Sequence, residues 1–122
     1  MSGRTMQISK SFSFEAAHFL PRVGSSHKCN TMHGHHYRVT VWVRGVVDDE
    51  MEWVIDYAEI KSAWMPIHDA LDHKCLNDVP CLENPTAENL CAWIWRKLIE
   101  RLPGLHRVEV KETEDSSAEC WA

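Results

Sequence analysis

The stretch from His35 to Val47, HHYRVTVWVRGVV, decides the fold because apolar and mainly polar residues alternate along it. Its odd positions from Tyr37 to Val43 are apolar, and Arg38, Thr40, Trp42 and Arg44 stand between and after them. A period of two predicts a β-strand with one buried face. Extending the same parity backward places His35, and His33 before it, on the apolar face.

A second alternating strand is predicted upstream. Its apolar or small residues occupy even positions: Met6, Ile8, Phe12, Phe14 and Ala16. His18 continues this inward-facing set. The segment between the two strands contains Pro21, Gly24 and Asn30, residues typical of loops.

Helical spacing dominates the middle of the chain. After a short strand predicted at Glu52–Ile55, Asp56 can cap a helix whose apolar stripe runs to Leu71, and Pro66 should kink or end its regular part. The segment 72–85 reads as irregular, and Thr86 can cap a second helix that stops before Pro103.

A final strand is predicted from His106 to Glu112, with Glu112 on its inward face. The order of two strands, a short strand, two helices and one or two final strands predicts an α+β fold, with the helices packed on one face of a largely antiparallel sheet. The length of 122 residues predicts that residues 1–122 form a single domain.

Composition narrows the functional class. The formal net charge of -5 at pH 7 argues against a general nucleic-acid binder. No apolar run reaches the roughly 20 residues that span a bilayer, and the N-terminus lacks the apolar core of a signal peptide, so we expect a cytoplasmic protein without a membrane partner. The five cysteines include no CxxC pair and are expected to be free thiols.

Histidines carry the clearest chemical signal. His33 and His35 project to one side of a strand, and His18 is in phase with them on the neighbouring strand. Three imidazoles suit zinc and leave a fourth position for water or substrate. The alternative for any single buried histidine is a hydrogen-bonded core residue. His36 is out of phase with His33 and His35 and is expected to be exposed.

Cys29 lies close to this set in sequence, next to Lys28. A nearby cation lowers a thiol pKa, so Cys29 is a candidate base or nucleophile. The alternative is that Cys29 is a fourth zinc ligand.

Three more polar residues are candidates for catalysis or binding. Asp72 and His73 form a candidate dyad in which the carboxylate orients the imidazole, although a surface helix end is an equal alternative. Glu112 needs a partner at the end of a valine-rich strand. That partner can be a ligand with two N–H donors or an arginine such as Arg38 or Arg44.

Five motifs occur in one order and together closely resemble the 6-pyruvoyltetrahydropterin synthase family. They are Phe14–His18 (FEAAH), Cys29–His35 (CNTMHGH), Leu71–Asn77 (LDHKCLN), Asn84–Glu88 (NPTAE) and Lys111–Thr113 (KET). The resemblance covers the chain from about Met6 to Thr113. The three residues between Cys29 and His33 resemble the bacterial queuosine-pathway branch, the 6-carboxy-5,6,7,8-tetrahydropterin synthases.

The resemblance implies a role for each site residue. It implies zinc on His18, His33 and His35, with Cys29 as the proton-abstracting base. It further implies that Asp72 and His73 form a dyad for a second proton transfer, and that Glu112 and Thr113 hold the pterin.

The implied reaction and assembly follow from the same resemblance. The substrate would be 7,8-dihydroneopterin triphosphate, and the products 6-carboxytetrahydropterin, acetaldehyde and triphosphate. The fold would be the tunnelling fold, in which subunits with a four-stranded sheet and two helices join into an oligomeric barrel, as a trimer or hexamer with sites between subunits. The segment 114–122 is acidic, whereas a site that binds triphosphate favours basic residues. The candidate phosphate contacts are therefore Arg22, Lys28 and Arg107.

Two rival functions stay open at this point. One is a pyruvoyl-forming lyase that acts on the same substrate. The other is a non-catalytic zinc-binding module in which Cys29 closes the metal site.

Overall fold

The computed structural model describes residues 3–122 and contains two α-helices and five strands in that range. In chain order they are β1 (Thr5–His18), β2 (His33–Val46), α1 (Tyr57–Leu71), β3 (Lys74–Cys75), α2 (Ala87–Ile99), β4 (Leu105–Thr113) and β5 (Ser116–Trp121). Short 3-10 helices occupy Lys28–Asn30 and Leu76–Asp78. The predicted α+β class is confirmed.

The strands form one sheet in the order β3-β1-β2-β4-β5. All neighbours pair antiparallel except β1 and β3, which are parallel. In the register of β1 and β2, Phe14 pairs with Tyr37, Ala16 with His35 and His18 with His33. The inward parity predicted for both strands is therefore correct.

The prediction of four strands is wrong, because the acidic tail forms β5. This strand pairs with the outer edge of β4, where backbone groups would otherwise lack partners. Its inward residues Ala118 and Cys120 pack against the core, and Glu119 on the other side forms a 2.6 Å ion pair with Arg107. The guanidinium of Arg107 also lies 4.0 Å from the ring centroid of Trp42, so this candidate phosphate contact is engaged within the sheet.

The short strand predicted at Glu52–Ile55 is also wrong. Oδ2 of Asp48 accepts hydrogen bonds from the N–H groups of Glu50 at 3.0 Å and Met51 at 2.8 Å. Glu52 then takes a positive φ of 61°, which closes a turn rather than extending a strand.

Both helices begin at the predicted caps. The Asp56 carboxylate accepts from the N–H of Ala58 at 2.9 Å, and the Thr86 hydroxyl accepts from the N–H of Asn89 at 3.1 Å. Pro66 lies inside α1, which nevertheless continues to Leu71.

The core lies between the helices and one face of the sheet. Its largest fully buried side chains include Trp64, Tyr37, Ile60, Leu71, Leu90, Ile94 and Leu98. The opposite face of the sheet carries exposed Ser11, Ser13 and Arg38, and Trp121 on the edge strand is 63% exposed. No helix within residues 3–122 has the length and apolar character needed to cross a membrane.

All five cysteines are free thiols. Sγ of Cys91 on α2 lies 3.5 Å from Sγ of Cys120 on β5. Burial raises the pKa of both thiols, so both are protonated and neutral at pH 7.

Candidate metal centre

Four side chains converge where β1, β2 and β4 lie side by side. The direct pairing of His18 with His33, and of Ala16 with His35, brings three imidazoles together at the end of β1 and the start of β2. Glu112 joins them from the end of β4. One ligand atom of each of these four residues lies within 4.8 Å of all the others, and we call them the four-donor group.

Backbone carbonyls fix which nitrogen of two imidazoles carries the proton. Nδ1 of His18 donates to the carbonyl of Pro85 at 2.9 Å, and Nδ1 of His33 donates to the carbonyl of Thr31 at 2.7 Å. Both Nε2 atoms are then unprotonated, yet they lie 3.1 Å apart. Two lone pairs at that distance repel each other unless a cation lies between them, so the geometry favours a shared metal over a hydrogen bond.

The third imidazole has a buried nitrogen without a hydrogen-bond partner. Nε2 of His35 lies 3.0 Å from Oε1 of Glu112, but the two atoms are not aligned for a hydrogen bond. A buried polar atom without a partner is costly. A metal ion bound by His18, His33 and His35 would satisfy this nitrogen, and three imidazoles are a donor set that suits zinc and leaves a fourth position open.

Burial keeps two of these imidazoles in the form that binds metal. His18 is 1% exposed, and burial lowers its pKa, although the Pro85 carbonyl and the Glu112 carboxylate act in the opposite direction. Burial likewise lowers the pKa of His35. Both rings are therefore neutral at pH 7, as metal ligation requires.

A β-bulge brings Glu112 to the group. Lys111 pairs with Ser117 and Thr113 pairs with Ser116, so β5 offers no partner to Glu112 between them. The Glu112 carboxylate lies 3.0 Å from His35 Nε2 and 3.8 Å from His18 Nε2. Within residues 3–122 the basic side chains within 4.0 Å of this carboxylate are these histidines, and neither Arg38 nor Arg44 forms the ion pair predicted as the alternative.

Asp72 and His73 form a hydrogen-bonded pair even though they are adjacent in sequence. Nδ1 of His73 lies 2.8 Å from Oδ2 of Asp72, because His73 takes a positive φ of 58° just after α1 ends. The other oxygen of Asp72 accepts the N–H of Glu15 at 3.0 Å. This hydrogen bond and the one from His73 lower the pKa of Asp72, so its carboxylate is charged at pH 7 and can orient the imidazole.

The pair and the four-donor group open onto a common cleft. His35 lines the cleft from the side of the group, and His73, Lys74 and Cys75 line it from the side of the pair. A small molecule in this cleft can therefore contact both sets of residues.

Cys29 lies in the segment that connects β1 and β2. It lies half-buried in the 3-10 helix, its N–H donates to Nδ1 of His27 at 3.0 Å, and its thiol is not a member of the four-donor group. The fourth donor among the described residues is Glu112. His36 is exposed as expected, with Nδ1 3.1 Å from the Glu15 carboxylate.

Two groups that support His18 were not predicted from the sequence. They are the carbonyl of Pro85 and the side chain of Asn77. Oδ1 of Asn77 accepts the N–H of Phe19 at 3.0 Å, directly after His18. Pro85 lies in the motif Asn84–Glu88 and Asn77 in the motif Leu71–Asn77. The resemblance of these motifs to the family was the feature of the sequence that could have identified them.

Comparisons with known proteins agree with this arrangement. A family described as 6-pyruvoyl tetrahydropterin synthase matches residues 7–122. A protein from Synechocystis sp. named 6-carboxy-5,6,7,8-tetrahydropterin synthase is 44% identical, over 94% of this chain and 92% of its own. Human 6-pyruvoyl tetrahydrobiopterin synthase is 36% identical, over 90% and 87% of the two chains. The solved structure of Caenorhabditis elegans 6-pyruvoyl tetrahydropterin synthase superposes with a TM-score of 0.90 at 27% identity, covering 98% of this chain and 96% of that one.

Proposed function

Since the chain belongs to the 6-pyruvoyl tetrahydropterin synthase family, we propose that it is a zinc-dependent lyase acting on 7,8-dihydroneopterin triphosphate. The proposed products are 6-carboxy-5,6,7,8-tetrahydropterin, acetaldehyde and triphosphate, a step of queuosine (7-deazaguanine) biosynthesis. The observation that carries the proposal is the four-donor group, with its partnerless His35 nitrogen, beside a cleft that is also lined by His73 of the Asp72–His73 pair.

His18, His33 and His35 would hold the metal in this proposal. A zinc ion bound there acts as a Lewis acid that stabilises negative charge developing on substrate oxygens. The Pro85 and Thr31 carbonyls fix the rings of His18 and His33 through Nδ1, so both Nε2 lone pairs are available to a metal ion.

Cys29 would remove the substrate proton, and the Asp72–His73 pair would move a second proton. The Asp72 carboxylate accepts from Nδ1 of His73 at 2.8 Å and so orients the imidazole, whose other ring nitrogen can take up and release a proton. His73 is 77% exposed beside the cleft, where a proton can be exchanged with solvent.

Glu112 and Thr113 would hold the pterin ring. Both line a cleft with His35 and Arg38, on the side of the four-donor group away from Asp72. Oε1 of Glu112 faces the histidines, and a carboxylate has a second oxygen available for a pterin N–H donor.

Two other functions predict different results. A pyruvoyl-forming lyase would use the same residues, and the 36% identity to the human pyruvoyl enzyme supports this as the second candidate. A non-catalytic zinc module closed by Cys29 is not supported, because Cys29 does not belong to the four-donor group.

Product identification tests the proposal. Zinc-loaded protein incubated with 7,8-dihydroneopterin triphosphate should yield 6-carboxytetrahydropterin and acetaldehyde, identified by mass spectrometry and an aldehyde assay. A pyruvoyl product without acetaldehyde would favour the second candidate, and no turnover by zinc-loaded protein would favour the binding module.

We also propose that residues 1–122 act as one domain in a cytoplasmic homo-oligomer, a trimer or hexamer. The exposed edge strand β5, with Trp121 63% exposed, supports subunit contact through the sheet. Light scattering should give a mass that is a multiple of three chains. A stable and active monomer at micromolar concentration would contradict this assembly.

A further inference from the structure

We infer that Asn77 is a positioning residue for the metal centre, an inference that rests on the proposed zinc site. Its side-chain amide joins the backbone beside His18 to the loop whose carbonyl orients the His18 imidazole. The evidence lies in the three hydrogen bonds that this side chain makes with backbone groups, beside a fourth in which Oδ1 accepts from the Cys75 thiol at 3.7 Å.

Two of these bonds hold the end of β1. Oδ1 of Asn77 accepts the N–H of Phe19 at 3.0 Å, and Nδ2 donates to the carbonyl of Phe19 at 2.9 Å. This is the pairing that a neighbouring strand would supply, but β3 ends at Cys75 after pairing with Ala16 and Ala17. The Asn77 amide therefore extends the sheet by one residue, just past His18.

The third bond holds the loop that follows. Nδ2 of Asn77 also donates to the carbonyl of Glu83 at 3.4 Å. Two residues later, the Pro85 carbonyl accepts the His18 Nδ1 proton. From the other side, Nδ2 of Asn89 on α2 donates to the Asn84 carbonyl at 2.8 Å, so the loop is fixed at both ends.

These contacts determine where the Nε2 atom of His18 points. The position of the His18 backbone depends on Phe19, and the shorter of two contacts at Nδ1 is with the Pro85 carbonyl at 2.9 Å, against 3.3 Å for the Tyr37 hydroxyl. His18 is 1% exposed, so no solvent can substitute for a displaced partner. Removing outer-shell partners of a metal ligand typically weakens metal affinity about 10- to 100-fold.

Two variants of Asn77 separate positioning from general stability. In Asn77→Ala the three bonds are lost, and the zinc Kd should rise about 10- to 100-fold. Asn77→Asp is nearly the same size and keeps the acceptor for the Phe19 N–H, but it places an oxygen against the carbonyls of Phe19 and Glu83. We expect at least as large a loss from it, and its size makes it the variant to use if the alanine protein does not fold.

Asp56→Ala is the matched control. It removes the cap of α1 and should lower the melting temperature of the metal-free protein, but Asp56 does not contact the four-donor group. Its zinc Kd should stay at the wild-type value. The absorption spectrum of bound Co²⁺ should change in the Asn77 variants and not in Asp56→Ala.

Zinc Kd would be measured by competition with a chromophoric chelator, alongside the melting temperature of each metal-free protein. A folded Asn77 variant with a wild-type zinc Kd and Co²⁺ spectrum would overturn the positioning role and leave the metal site intact. An equal loss of affinity in Asp56→Ala would also overturn it. If wild-type protein bound no zinc, the proposed function would fail together with the inference.

Discussion

Replacing His33 by alanine is expected to abolish binding of the proposed zinc ion and, with it, the enzymatic activity. Nε2 of His33 lies 3.1 Å from Nε2 of His18, and the Thr31 carbonyl fixes its tautomer for ligation. The variant would leave two imidazoles and one carboxylate, and no other His, Cys, Asp or Glu of residues 3–122 joins the group to replace the missing nitrogen.

His36→Ala is the matched control for this prediction. It removes an imidazole from the same strand, but from the exposed side, where its partner is Glu15. Zinc analysis after exhaustive dialysis should give about one ion per chain for wild type and His36→Ala, and far less for His33→Ala. Tight, near-stoichiometric zinc in His33→Ala would show that the metal is bound elsewhere.

The second large effect is expected from Cys29→Ala, which should keep its zinc and lose turnover. Cys29 is not a member of the four-donor group, so its thiol is not needed to hold the metal. General-base catalysis typically contributes about 100- to 10,000-fold to the rate, and we expect kcat to decrease by a factor in that range.

Cys81→Ala provides the comparison, because it removes an exposed thiol that has no proposed role in metal binding or proton transfer. Zinc content, oligomeric mass and kcat should be measured on the same preparations. Loss of zinc along with activity in Cys29→Ala would make Cys29 a metal ligand. Near-normal turnover with zinc retained would remove it from the mechanism.

The central strands and both helices were predictable because local patterns determine them. The alternation around Tyr37 gives a strand in any context that buries one face, and Asp56 and Thr86 mark the helix starts. The tail was not predictable, since its polar sequence becomes a strand only by pairing with β4. The strand predicted at Glu52–Ile55 does not form, and in the turn before it Asp48 accepts backbone hydrogen bonds that compete with strand pairing.

In the candidate site, too, some features follow from local sequence pattern and others from tertiary structure. The convergence of His18, His33 and His35 follows from parity on two strands, which can be read from sequence. The approach of Glu112 depends on a bulge between β4 and β5, and the Asp72–His73 pair depends on one positive φ. Both are results of tertiary structure. Strand periodicity gives the side of a residue, but not its distance from residues on another strand.

The direct pairing of His18 with His33 also bears on the order in which the chain folds. Only the segment 19–32 separates the two residues, so bringing them together costs little loop entropy. Glu112 comes from far along the chain, and contacts between distant segments form more slowly. The three imidazoles should therefore assemble early, and a zinc ion captured at that stage would stabilise the β1–β2 pair before β4 and β5 have docked.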